Sequence, residues 1–132
     1  MKTLLLTPLV FILGCASVTT DPAANRLTRV GNTLETAAYI VAGWHLIDNP
    51  EDRDEIVKIG TALGSVVTAS NLIEIAAKLS GKGDKSRLMI GGAMLVFEQE
   101  LGQLPIMDQH AFVNESTQRF RQGIAKALAE TK

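Results

Sequence analysis

The 132-residue chain has one cysteine, Cys15, so no intramolecular disulfide can form. Aromatic residues make up only 5%, too few for a platform on which bases or sugars stack. Neither sign of charge dominates, with 13 Lys and Arg against 14 Asp and Glu. No basic field is available to hold nucleic acid through its phosphates. A full-length apolar membrane span is missing as well. The most apolar stretch, Leu4 to Leu13, is about half of the roughly 20 residues that a helix needs to cross the hydrocarbon core.

Patterns that carry catalysis are also missing. His45 and His110 are far apart and lack cysteine partners, whereas a zinc site needs three or four protein ligands. Glu98 and Glu100 are two positions apart and point to different faces of a helix. No Glu-x-x-His pair exists to build a two-metal bundle site. The acidic segment Asp48–Glu55 contains Pro50 and lacks the glycine that a calcium loop requires. Gly81–Ser86 holds Gly, Lys and Ser without phosphate-loop spacing, and no Gly-x-Ser-x-Gly occurs. The residues imply a non-catalytic chain with no metal site, no nucleic-acid partner and no evident small-molecule substrate.

What is present begins at the N-terminus. Mean hydropathy is +0.16, and residues 1–14 carry all of the excess. One charge, Lys2, precedes the Leu4–Leu13 run, which Pro8 interrupts. That is the layout of a secretory signal rather than a stable span. The run closes at Ile12-Leu13-Gly14-Cys15, which resembles the lipobox of bacterial and phage-encoded lipoproteins. The resemblance implies cleavage between Gly14 and Cys15, a diacylglyceryl group on the Cys15 thiol, and often an acyl chain (palmitate) on the new amine. No other cofactor is implied. Several acyl chains would anchor the protein firmly, since each buried CH₂ contributes about 0.8 kcal/mol. Ala16, in place of Asp at the second mature position, implies the outer membrane facing the periplasm in a Gram-negative host. The expected organisation is a signal peptide at 1–14, a lipidated tether at 15–20 and one helical domain at 21–132.

The remainder reads as helix. Thr20-Asp21-Pro22 has an oxygen-bearing cap followed by proline, a helix start. Leu27, Val30, Leu34, Ala37, Ala38, Val41 and Trp44 then recur at steps of three and four. Asn49-Pro50 predicts a boundary. A second helix is predicted from about Pro50 to Leu79, with Ile56, Ile59, Leu63, Val66, Ser70, Ile73 and Ala77 inward, a stripe broadened by Val57, Val67 and Leu72. The β-branched run at Ser65-Val66-Val67-Thr68 lies within it. Its residues 59–79 are long enough to cross a bilayer, but Asn71, Glu74 and Lys78 interrupt them. The third helix, from about Lys85 to Gly102, carries Leu88, Ala93, Met94, Leu95, Phe97 and Leu101. The fourth follows Asp108 with Phe112, Val113, Phe120, Ile124, Ala127 and Leu128. Short connections then predict an all-α, compact antiparallel four-helix bundle.

Two features invite contact. Trp44 lies on the apolar stripe, at the core edge of the bundle end. Because tryptophan is enriched at interaction hot spots, Trp44 with His45 is also a candidate interaction surface. The Gly60/Gly64 pair, the likewise spaced Ala38 and Ala42, and Gly91 with Gly92, are candidates for close helix–helix contact. The expected function is a lipid-anchored binding or assembly module in the envelope, held by membrane and protein partner. The alternatives are a membrane-active factor (lysis, superinfection exclusion or a pore) and an accessory subunit of an envelope enzyme.

Overall fold

A computed structural model describes residues 22–81 and 83–131, and every regular element in them is helical. The expected signal peptide at 1–14, its Gly14–Cys15 cleavage site, the Cys15 attachment point and the tether lie outside the described residues. Five α-helices follow: α1 Pro22–Asp48, α2 Arg53–Ala62, α3 Ala69–Ser80, α4 Asp84–Gly102 and α5 Ile106–Glu130. Short 3-10 turns at Pro50–Asp52 and Leu63–Ser65 flank α2.

The helix expected over 50–79 is thus two helices. Gly64 weakens the helix locally, and Val66, Val67 and Thr68 are stiff at χ1 and favour extended backbone. Val66 is extended (φ −72°, ψ 129°), and Thr68 is extended too (φ −129°, ψ 159°). Thr68 then caps α3, its Oγ1 accepting the Asn71 N–H at 3.2 Å. The break resets the helical phase. Ile56, Ile59 and Leu63 are buried as expected, but beyond it Leu72, expected at the edge of the stripe, is buried at its centre with Ala76 and Leu79. Ser70 and Ala77 are exposed, Ile73 is half-buried, and Val57 and Val67 turn to solvent.

Specific contacts fix the helix directions. Arg29–Glu100 and Trp44–Lys85 place α4 antiparallel to α1. Asn32–Arg119 and Tyr39–Glu130 place α5 parallel to α1. Arg53 donates to the Leu128 carbonyl at 2.7 Å while Gly64 faces Arg121, so α2 opposes α5. In an up-and-down four-helix bundle the first and last helices oppose each other. Here the extra reversal at Val66–Thr68 makes the helix number odd, and the first and last helices run together. Gly83, at φ +151°, makes the tight turn between α3 and α4, a conformation that favours glycine.

α1 packs chiefly on α5 and then on α4, while α3 packs on α4. Val30, Leu34, Ala38 and Val41 of α1 meet Ile90 and Phe97 of α4 and Phe120, Ile124 and Ala127 of α5 in one core. α2 ends beside Arg121, part-way along α5, and α3 returns the chain to the end where α4 begins. The other half is built from three helices, with Phe97 stacked on Phe112 at 5.7 Å.

Two groups of small residues behave differently from the sequence expectation. Gly91 and Gly92 are exposed and face open space, so they make no close helix contact. They lie on the outer face of α4 with Leu88 and Leu95, which are 79% and 55% exposed rather than in the core. Gly60 meets Ile124 at ordinary distance, and Gly64 meets only the Arg121 side chain, so that pair forms no backbone seam either. The close approach is elsewhere, at Gly123 of α5. A Cβ there would stand 2.9 Å from the Ala38 Cβ and would overlap the Glu35 backbone.

Candidate functional site

The last three turns of α1 carry two apolar stripes. Val41, Ala42, His45 and Leu46 face inward. Ile40, Gly43, Trp44 and Ile47 form a second stripe at helical spacing, beside the first. The expected inward stripe therefore drifts by one position at its end. His45 is buried, whereas Trp44 is 39% and Ile47 69% exposed.

His45 clasps the end of α1 to the turn that follows. Its Nε2 lies 2.9 Å from Asp52 Oδ2, off the hydrogen-bonding direction, and its Nδ1 faces Asn49 Nδ2 at 3.5 Å. The buried ring is thus wedged between α1 and the chain reversal, with Nε2 beside the Asp52 carboxylate but not hydrogen-bonded to it. The sequence pairing of Trp44 with His45 as one surface thus divides into an exposed Trp44 and a buried His45.

Trp44 is the wall between two clefts. One, about 350 Å³, is polar and lined by His45, Asp48, Asn49, Asp84, Lys85 and Ser86. Lys85 Nζ stands 6.0 Å from the Trp44 ring centroid, at the outer limit of cation–π attraction. The other, about 310 Å³, is apolar and lies between α1 and α5, lined by Tyr39, Ile40, Gly43, Ile47, Ala127 and Glu130. An apolar side chain from another molecule could seat beside Ile47 while a polar group meets Asp48 or Lys85. Among the described residues no three His, Cys, Asp or Glu side chains converge as metal ligands.

Tyr39 closes the apolar cleft. Its hydroxyl donates to Glu130 Oε1, and Lys126 Nζ sits 4.9 Å from its ring centroid. The hydrogen bond to Glu130, and then the negative charge of that carboxylate, hold the Tyr39 phenol above its ordinary range. Tyr39 is the only tyrosine, so phenolate absorbance reports it alone. Its midpoint is expected above that of free tyrosine, and Glu130→Gln is expected to bring it back down. The linkage sign follows, because folding favours the neutral phenol. The contribution is fully present below the ordinary phenol pKa and is lost as pH rises through the raised one. A midpoint unmoved by Glu130→Gln would remove this contact from the α1–α5 interface.

The sequence reading missed Tyr39, Ile40 and Ile47. The signal for Ile40 and Ile47 was the spacing 40, 43/44, 47, which the neighbouring core stripe concealed. No family model matches the chain, and no curated protein or solved structure matches it significantly.

Proposed function

We propose that the chain is a lipid-anchored, non-catalytic envelope protein whose helical domain binds a protein partner through the Trp44 surface. The observation that carries the binding role is the exposed Trp44–Ile47 stripe set between a polar and an apolar cleft. Tryptophan anchors flanked by apolar neighbours are the usual centres of binding energy at interfaces. Attachment is assigned to lipid on Cys15, the single cysteine, which ends the lipobox-like Ile12-Leu13-Gly14-Cys15. No described helix is long and apolar enough to cross a membrane. By the same resemblance, Ala16 directs the protein to the outer membrane, facing the periplasm.

The geometry suits a tethered adaptor. Trp44 lies 22 residues along α1 from Pro22, about 33 Å at 1.5 Å per residue. The contact surface is therefore carried away from the end where the chain leaves for the tether.

Radiolabelled acyl incorporation in a bacterial host tests the anchor. Wild type is expected to take up label and fractionate with membranes, and Cys15→Ser to do neither. Equal labelling of both, or of neither, rejects the lipoprotein reading. Native co-purification tests the binding role. A partner retained by wild type is expected to weaken at least about 30-fold with Trp44→Ala and Ile47→Ser together, as for a hot spot of about 2 kcal/mol. Leakage of liposomes by the purified chain would favour the membrane-active alternative instead.

A further inference from the structure

The most exposed large apolar side chains in the described residues are neighbours, Ile106 and Met107, at 85% and 90% exposure. They open α5, in the first turn after Pro105. Adjacent in sequence, they make a small apolar patch at the start of the helix rather than a single scattered side chain.

Their position follows from the register of two helices. α1 and α5 are parallel, and the contacts Asn32–Arg119, Ala38–Gly123 and Tyr39–Lys126 join residues 85 to 87 positions apart. Carried back along both helices, that offset sets Pro22 level with Met107 to Gln109. The Arg29–Glu100 ion pair puts the last turns of α4 at the same end. Ile106 and Met107 therefore project from the end of the bundle at which the chain enters α1.

Six residues, 16–21, separate Cys15 from Pro22. Fully extended, that connection spans at most about 25 Å. A lipid on Cys15 would hold this end of the bundle close to the bilayer, with the Trp44 end pointing away. We infer that Ile106 and Met107 form a foot that inserts into the interfacial layer of the membrane carrying the tether. The inference rests on the lipid-anchor reading above and adds an orientation to it. Two apolar side chains bind too weakly to hold the protein alone, but a tethered foot acts at high effective concentration. With one contact at the tether and another at the foot, the bundle stands upright and presents Trp44 outward.

The chain supplies its own control, because Trp44 is its only tryptophan and sits at the opposite end. The test uses the mature lipidated protein, beginning at Cys15, in phosphatidylcholine vesicles, with and without lipids brominated on the acyl chains. Wild type is expected to lose less than a tenth of its Trp44 emission to the brominated lipid. A Trp44→Phe, Met107→Trp variant is expected to lose at least half, with a blue-shifted maximum. An unquenched indole at position 107 in protein that floats with the vesicles would overturn the foot and leave the anchor standing. Quenching of Trp44 alone would overturn the orientation. Protein left behind when the vesicles float would overturn the anchor and the foot together.

Discussion

Gly123→Ala is expected to destabilise the protein, whereas Gly92→Ala is expected to stabilise it. Both glycines lie inside helices, where alanine is intrinsically better by about 1 kcal/mol. At Gly92 nothing lies within 4 Å of the added methyl, so the intrinsic gain is realised. At Gly123 the methyl would stand 2.9 Å from the Ala38 Cβ, 3.0 Å from the Tyr39 backbone nitrogen and closer still to the Glu35 carbonyl oxygen. Backbone has no rotamer to yield, so α1 and α5 must part. Overpacking of this kind costs about 1–3 kcal/mol, more than the propensity gain. The polar contacts that bracket the seam would stretch with it. On one side Arg119 Nε donates to Glu35 Oε1 at 2.7 Å, and on the other Tyr39 donates to Glu130. For a domain of this size 1 kcal/mol moves Tm by roughly 4 °C, so thermal melts of the two variants should shift in opposite directions. A Gly123→Ala protein as stable as wild type would refute the parallel α1–α5 packing.

The extent to which the sequence foretold this arrangement depends on how each signal is encoded. Helical content was legible throughout, because apolar residues recur at steps of three and four. α5 was read almost completely, with Phe112, Val113, Phe120, Ile124 and Ala127 all buried. The break at Val66–Thr68 was visible as a β-branched run, but the surrounding period concealed it. Its consequence, a change of phase that moves Leu72 from the edge of the stripe to its centre and leaves Ile73 half-buried, depends on backbone angles and not on composition. The same limit applied to the glycines. Spacing marked Gly60/Gly64, Gly91/Gly92 and Ala38/Ala42; the close approach does use Ala38, but against Gly123, which has no glycine partner to mark it. In the candidate site, Trp44 was legible as a residue type that favours interfaces. Its exposure, and the inward turn of His45, follow from a helical drift of one residue that a stripe of alternating threes and fours does not resolve.

Phe97→Ala is expected to have the largest effect on stability of any single change considered, a loss of about 3–5 kcal/mol. That is a large share of the roughly 5–15 kcal/mol by which a domain is ordinarily stable. Phe97 is fully buried in the half of the bundle that α2 does not reach. α4 meets α5 much more sparsely than it meets α1. The offset stack of Phe97 on Phe112, with planes 11° apart, is therefore a main tie between those two helices. Because Phe97 is fully enclosed by the core, truncation to alanine leaves a cavity that its packed neighbours fill only in part. A double-mutant cycle with Phe97→Leu and Phe112→Leu should return a coupling of about 0.5–1.5 kcal/mol for the ring pair. Leu88→Ala completes the comparison. The sequence stripe places Leu88 inward like Phe97, but the structure leaves it 79% exposed. Its truncation should then change stability by no more than about 0.5 kcal/mol. Hydropathy alone ranks both residues as core, so urea midpoints of the two alanine variants decide which face of α4 packs inward. Equal losses at Leu88 and Phe97 would require α4 to be rotated from the position described, and the Phe97–Phe112 stack would go with it.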